Sequence, residues 1–149
     1  MSHAADHDAR EFVHVRVIDA PREQVFAAFT DATRIARWWG PRGFTSTIHH
    51  FDPQPGGRWQ LTLHGPDGND YPNENVFVEL SPTRIVIDHP SPTHHFVLTV
   101  DLQDDDGRTR VEWRQRFDSA EHAEAIAAVV RPANEENLER LAVEVMGGR

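Results

Sequence analysis

The chain has 149 residues, a formal net charge of −9 and no cysteine. This length suits one domain that buries about 70% of its unfolded surface. The negative charge argues against nucleic acid and against an anionic membrane as partners, because both favour a basic face. The lack of cysteine excludes disulfides and thiolate metal sites. All basic side chains are arginine, so a Schiff-base lysine and a P-loop lysine are excluded too.

The sequence predicts neither a membrane-spanning helix nor a signal peptide. No apolar run approaches the roughly 20 residues of a membrane-spanning helix, and the polar N-terminus lacks the apolar stretch of a signal peptide. We interpret residues 1–10 as a disordered lead-in and residues 11–146 as a single domain. A cytoplasmic location is expected.

The first part of the chain predicts a strand followed by a helical pair. The β-formers of "EFVHVRVIDAP" indicate a strand that Pro21 ends. From Pro21 the spacing becomes helical, with Val25, Phe26 and Phe29 on one stripe and a break near Thr30–Asp31.

Residues 44–117 predict strands joined by tight turns. "PQPGG", "GPDG" and "DDDG" are turn signals, and a strand "ENVFVEL" follows the second of them. Apolar and polar residues alternate in "RWQLTL" and "HHFVLTVDLQ". The pattern predicts an antiparallel meander with one buried face and one face in water.

The C-terminal part predicts a long helix. Asp118 or Ser119 can cap its start, and an apolar stripe runs from Ala123 to Val145. Pro132 predicts a kink or break near Arg131. A strand, a helical pair, about six strands and a terminal helix together indicate an α+β layout with the helix across a curved sheet.

Four sequence blocks resemble one bacterial family. They are "APREQVFAAFTDATRIARWWGPRGF", "FDPQPGGRW", "HGPDGNDYPNE" and "NLERLA". From about Phe12 to Val145 the chain resembles the bacterial family similar to the C-terminal domain of the activator of the 90-kDa heat-shock protein ATPase. That family lies in the START-like, Bet v 1-like (SRPBCC) superfamily. The resemblance implies a helix-grip fold, in which a curved antiparallel sheet of about six or seven strands wraps around a long C-terminal helix.

One departure from the family pattern concerns the last helix. Members often carry a small residue such as glycine just before the "LERLA"-type ending. Here Pro132 and Ala133 stand in "RPANEEN". The departure implies a differently shaped lid over the cavity.

The resemblance leaves three functional hypotheses, because this fold serves many functions. The first is a small-molecule-binding domain that takes a hydrophobic or aromatic ligand in an internal cavity. The second is a polyketide cyclase or hydrolase-like enzyme in the same fold. The third, a chaperone ATPase-regulating module, ranks lower because the chain is too short for the separate N-terminal domain of the eukaryotic activator. A homodimer is compatible with the sequence.

Aromatic residues on the predicted buried faces are candidates for a cavity wall. An ordinary filled core is the competing interpretation, since buried aromatic rings usually pack against one another. Neighbours on a helix differ by about 100°, so Trp38 and Trp39 cannot share one role. We expect Trp39 nearer the cavity and Trp38 nearer the packed layer.

Polar residues on the same faces complete the candidate set. Gln115 shares a strand face with Trp113, and His89 follows the parity of Ile87. A buried polar group needs a partner, which can be a ligand or an internal group. The candidate ligand-binding residues are Trp38, Trp39, Phe51, Trp59, Tyr71, Phe77, His89, Phe96, Trp113 and Gln115.

The ten histidines do not follow a metal-binding motif. The pairs His49–His50 and His94–His95 are adjacent on predicted strands, so the members of each pair point to opposite faces. No HExxH or GxSxG motif occurs. We therefore predict no metal, no cofactor and no catalytic set, and leave open acid/base chemistry at His89.

Overall fold

The computed structural model describes residues 8–147, which form a seven-stranded antiparallel sheet with helices packed on one face. The elements are β1 (Glu11–Ile18), α1 (Arg22–Thr30), α2 (Ala32–Trp38), β2 (Thr45–Phe51), β3 (Arg58–His64), β4 (Asp70–Ser81), β5 (Arg84–His89), β6 (Phe96–Asp105), β7 (Arg108–Phe117) and α3 (Ala120–Gly147). The predicted α+β class and the helical pair after the first strand are confirmed.

The strand order is β1-β7-β6-β5-β4-β3-β2, so β2 to β7 form the predicted meander and β1 pairs with β7. Register shifts lie between Ile48 and His50 and between Phe77 and Glu79. Such bulges bend a strand and increase its twist. They help to curve the sheet toward α3.

The helical pair forms because a capped break at Asp31 separates α1 from α2. Val25 and Phe29, one turn apart, lie on the buried side of α1. The Asp31 carboxylate accepts hydrogen bonds from the backbone N–H groups of Thr33 (2.9 Å) and Arg34 (3.1 Å). This N-cap satisfies donors that the first turn of α2 leaves free.

Helix α3 runs unbroken through Pro132. Ser119 caps its start, because its Oγ accepts a hydrogen bond from the His122 N–H (3.1 Å). Pro132 has no N–H to donate to the carbonyl of Ala128, so the helix lacks one internal hydrogen bond there. Of the two predicted alternatives, a kink or a break, the break is wrong, since α3 is continuous and is buried against the rest of the fold on both sides of the proline.

Strand β4 begins at Asp70, earlier than the predicted start at Glu74. Strand β5 pairs with β4 only from Val76 onward. The first half of β4 therefore has an open edge, where the missing N–H of Pro72 interrupts no ladder.

Two apolar clusters form the interior. The main core packs the sheet against α1, α2 and the second half of α3, and its largest fully buried side chains include Trp38, Trp59, Phe29 and Phe77. A satellite cluster lies under the first half of α3 and consists of the buried residues Phe12, Phe117, Ala123 and Val130.

The predicted lead-in falls mostly outside the described residues, because residues 1–7 are not among them. Arg10, at its end, binds the Asp8 carboxylate through Nε (3.0 Å) and its second guanidinium nitrogen (2.8 Å). Within residues 8–147, no helix combines the length and apolar character needed to cross a membrane.

Candidate ligand-binding cavity

A cavity of about 490 Å³ lies between α3 and the sheet. Small-molecule sites typically have volumes of about 300–1,000 Å³ and mostly apolar walls. The rings of Trp39, Phe96 and Trp113 line this cavity together with Leu98 and Val130. Its size and lining are those of a site for an organic molecule rather than an ion.

The turn after α2 forms part of the cavity wall and is held in place by α3. Asn137 Nδ2 donates to the Trp38 carbonyl (3.0 Å), and Asn137 Oδ1 accepts from the Gly40 N–H (3.4 Å). Arg140 donates to the carbonyls of Gly40 (2.8 Å) and Pro41 (3.0 Å). Gly40 has φ of 104°, a conformation that favours glycine. The sharp turn and its anchors fix where the preceding tryptophans point.

The two adjacent tryptophans face different surroundings. Trp38 is fully buried, donates from Nε1 to the Ala28 carbonyl (2.9 Å), and packs edge-to-face on Phe29 with ring centroids 4.9 Å apart. Trp39 lines the cavity and packs on Trp59 with centroids 4.8 Å apart. The structure thus places Trp39 on the wall and Trp38 in the layer behind it.

One polar pair on the wall joins Asn75 of β4 to His89 of β5, and we call it the Asn75–His89 pair. His89 Nδ1 lies 2.9 Å from Asn75 Oδ1, and the imidazole stacks on Phe96 with centroids 4.7 Å apart. Burial lowers the pKa of His89, and nearby His94 lowers it further. The imidazole is therefore neutral at neutral pH. Asn75 is only 1% exposed, and its Nδ2 has no hydrogen-bond partner among the described residues.

A second polar pair joins Gln115 of β7 to Asn134 of α3, and we call it the Gln115–Asn134 pair. Asn134 Nδ2 donates to Gln115 Oε1 (3.0 Å), and both side chains are buried. The neighbouring Trp113 Nε1 is buried without a hydrogen-bond partner in the described part of the chain. The predicted buried face of β7 thus carries both an amide and an unpaired indole donor.

Tyr71 stands at the rim of the cavity, 40% exposed. Its hydroxyl donates to the Asp67 carboxylate (2.6 Å), and this bond lowers the pKa of Asp67. The ring lies near Phe44, with centroids 6.2 Å apart. The contact with Asp67 fixes Tyr71 at the side of the opening.

Several histidines meet near the start of α3. His94 of the cavity wall lies 3.5 Å from His122, and burial followed by this neighbour lowers the pKa of His94. His95 lies between Asp118 and Asp88, 2.7 Å from each, and these bonds raise the pKa of His95. Within residues 8–147, no three His, Asp or Glu side chains are grouped so that they could hold a metal ion.

The structure divides the ten candidate residues into two layers. Those that line the cavity are Trp39, Tyr71, His89, Phe96, Trp113 and Gln115. Those in the packed layer behind it are Trp38, Phe51, Trp59 and Phe77. Three of these rings do not line the cavity because they pack on one another, with centroids 5.7–5.8 Å apart; they are those of Phe51, Trp59 and Phe77.

Sequence reasoning missed His94 and Asn134, which also line the cavity. The sequence pattern around Asn134 does indicate that its side chain faces the interior. Val130, Asn134, Asn137 and Leu141 recur at helical spacing on one side of α3 and are all buried. An amide within an apolar stripe of this kind marks a polar group that faces the interior.

Comparison with known proteins supports the fold and identifies the family. Residues 19–145 match the family described as Activator of Hsp90 ATPase homolog 1-like protein. A protein from Arthrobacter aurescens is 24% identical, with a TM-score of 0.86 over 95% of this chain and 90% of its own. A protein from Nitrosomonas europaea is 16% identical, with a TM-score of 0.84 over 95% of this chain and 97% of its own.

A third structure carries the family's name. The AHSA1-like protein from Aeromonas hydrophila is 20% identical, with a TM-score of 0.72 over 93% of this chain and 95% of its own. At such low identities these likenesses show the fold alone, and no curated protein matches the chain. Because the family match spans most of the sequence, the chain belongs to the Activator of Hsp90 ATPase homolog 1-like family.

Proposed function

We propose that this protein binds an uncharged, mainly apolar small molecule in the cavity between the sheet and α3. The observation that carries the proposal is the cavity of about 490 Å³, whose wall contains no Asp, Glu or Arg among the described residues. A charged ligand would lose its hydration there without gaining an opposite charge. An apolar ligand gains from the removal of its surface from water.

Unpaired donors on the wall add a polar requirement. Asn75 Nδ2 and Trp113 Nε1 are buried and have no hydrogen-bond partner in the described part of the chain. A buried donor without a partner costs about 1–3 kcal/mol. A ligand that brings an acceptor oxygen to either donor recovers part of this cost, so we expect oxygen-bearing ligands to be preferred over pure hydrocarbons.

Titration with Nile red, an uncharged fluorescent dye, tests the proposal. We expect saturable binding by the wild-type protein and loss of binding in Ala133→Phe, which fills the cavity from α3. Ala125→Phe is the matched control, because Ala125 lies on the exposed side of the same helix. Unchanged circular dichroism establishes that both variants fold. Equal dye affinity in the two variants, or no binding by the wild type, would contradict the proposal.

A second candidate function is proton transfer, and His89 is the observation that favours it. His89 Nδ1 lies 2.9 Å from Asn75 Oδ1, and the imidazole is neutral because burial lowers its pKa. A nitrogen of this neutral imidazole can take a proton from the carbon next to a carbonyl group, while Asn75 Nδ2 donates to the carbonyl oxygen. Deuterium uptake from heavy water next to the carbonyl of indanone should be faster with the wild type than with His89→Gln. Equal rates would remove this candidate.

A further inference from the structure

The cavity holds two separate hydrogen-bonding pairs in an otherwise mostly apolar wall. The Asn75–His89 pair is 2.9 Å between its bonded atoms, and the Gln115–Asn134 pair is 3.0 Å. Each pair binds its own members together through one atom of each residue. Each residue therefore keeps a second polar atom that the pair does not use.

The unused polar atoms of the two pairs differ. In the first pair, Asn75 keeps its amide donor, whereas the His89 side chain also has a backbone hydrogen bond with Glu74. In the second pair, Gln115 keeps its amide donor and Asn134 keeps its carbonyl acceptor. Asn75 Nδ2, Gln115 Nε2 and Asn134 Oδ1 have no partner within residues 8–147. The first pair can thus donate to an acceptor oxygen, and the second can both donate to and accept from one hydroxyl group.

The two pairs lie at separate places on the sheet. His89 lies on β5 and Gln115 on β7, and adjacent strands are about 4.8 Å apart, which gives roughly 10 Å across the sheet. His89 pairs with Phe96, whereas Gln115 pairs with Leu98, so the positions also differ by two residues along the strands. This offset adds about 7 Å, for a backbone separation of roughly 12 Å.

The wall between the two pairs is apolar. Phe96 and Leu98 of β6 lie between them, and Trp113 adjoins Gln115 on the same face of β7. No charged carboxylate or guanidinium lines this stretch among the described residues. An apolar body fits here, with polar groups only at its ends.

We propose that the ligand is an uncharged, elongated molecule with a hydroxyl or similar hydrogen-bonding group at each end, one end held by the Asn75–His89 pair and the other by the Gln115–Asn134 pair. This inference rests on the proposed binding function and adds the chemical class of the ligand. The proposal predicts that hydrocarbons and molecules with one polar group bind more weakly than molecules with a polar group at each end.

A series of three probes with the same carbon skeleton tests the inference. They are biphenyl, para-phenylphenol and para,para′-biphenol, with affinities measured by displacement of Nile red. We expect affinity for the wild type to rise about tenfold with each hydroxyl, because each one satisfies polar atoms that a hydrocarbon leaves unpaired.

Two variants test which polar pair binds each end of the probe. Gln115→Met keeps the side-chain length but removes its donor, so it should bind biphenol no more tightly than phenylphenol and leave biphenyl affinity unchanged. Gln103→Met is the matched control on the exposed side of β6, and it should retain the full series. Asn75→Leu repeats the test at the other pair.

The outcomes separate the inference from the proposed function. If Nile red binds and Ala133→Phe abolishes binding, but the three probes bind the wild type equally, the two-ended ligand is wrong and the binding function stands. The inference is also overturned if the hydroxyl preference survives in both Gln115→Met and Asn75→Leu. If neither Nile red nor any probe binds the wild type, the proposed function fails with it.

Discussion

Trp38 and Trp39 offer a direct test of the division between packed layer and cavity wall, through the substitutions Trp38→Phe and Trp39→Phe. Both changes remove the same atoms from neighbouring residues. Trp38 Nε1 donates to the Ala28 carbonyl, which lies in the last turn of α1 where carbonyls lack helical partners. Trp39 Nε1 makes no hydrogen bond within residues 8–147 and its ring borders the cavity.

The expected loss of stability differs between the two variants. Trp38→Phe leaves the Ala28 carbonyl buried without a partner, which costs about 1–3 kcal/mol. The smaller ring also leaves a void in a fully buried layer and adds about 1 kcal/mol. Trp39→Phe only enlarges a space that is already open, at about 1 kcal/mol. We therefore expect Trp38→Phe to be less stable than Trp39→Phe by about 2 kcal/mol.

Urea unfolding followed by far-ultraviolet circular dichroism measures this difference, since fluorescence changes with the tryptophan count. A domain of typical stability, about 5–15 kcal/mol, stays folded after either change. Nile red affinity gives the complementary readout and should fall in Trp39→Phe but not in Trp38→Phe. The reasoning is refuted if the two unfolding free energies agree within about 0.5 kcal/mol, which is the usual scatter of such comparisons.

Three further predictions concern charge pairs and backbone space. Glu144→Gln removes the buried carboxylate that binds Arg37 (2.9 Å) and should lower the unfolding free energy by about 2 kcal/mol near neutral pH. Because Arg37 lowers the pKa of Glu144, this loss of stability should become smaller as the pH falls below 4.5, the ordinary pKa of a glutamate. His95→Gln should destabilise below about pH 6.5 and not at high pH, because the flanking aspartates raise the pKa of His95 and its contribution is lost as the pH rises through that value. Gly57→Ala would make Cβ clash with the Asp52 carbonyl oxygen and should cost about 2 kcal/mol or more.

Urea unfolding at a series of pH values checks the first two predictions, and unfolding at a single pH checks the third. Equal effects of His95→Gln at about pH 6 and about pH 9 would contradict the histidine prediction. A constant effect of Glu144→Gln down to low pH would contradict the carboxylate prediction. Gly147→Ala is the control for the glycine, since a Cβ there meets no atom within 4 Å and Gly147 does not have a positive φ. The steric argument fails if Gly57→Ala costs no more than this control.

The fold was predictable because the periodicity of apolar residues changes where the elements change. Alternation in "RWQLTL" and helical spacing around Phe29 mark a strand and a helix that the structure contains. The start of β4 was not predictable, since Pro72 lies where β4 pairs with β3 on one side and β5 does not reach the other side. This depends on the length of a neighbouring strand, which no local pattern encodes.

The candidate site was predictable in its choice of sheet face but not in its position along the strands. Trp59 and Leu63 share one face of β3, yet Trp59 lies in the packed core and Leu63 lines the cavity. On β4, Phe77 is packed, whereas Asn73 and Asn75 earlier on the same face line the cavity. Side-chain parity follows from the two-residue repeat of a strand. The end of the sheet at which α3 leaves space follows from tertiary packing.

Helix α3 contacts the rest of the fold differently before and after Pro132. The second part bonds to the turn after α2 through Asn137 and Arg140 and belongs to the main core. The first part rests on the small satellite cluster, with Arg131 over the Phe12 ring at 5.0 Å. Local opening of the first part should therefore require less free energy than global unfolding. Its amide protons should exchange with solvent sooner than those near Leu138, and a helix that opens in this way gives a ligand a route to the cavity without a separate lid loop.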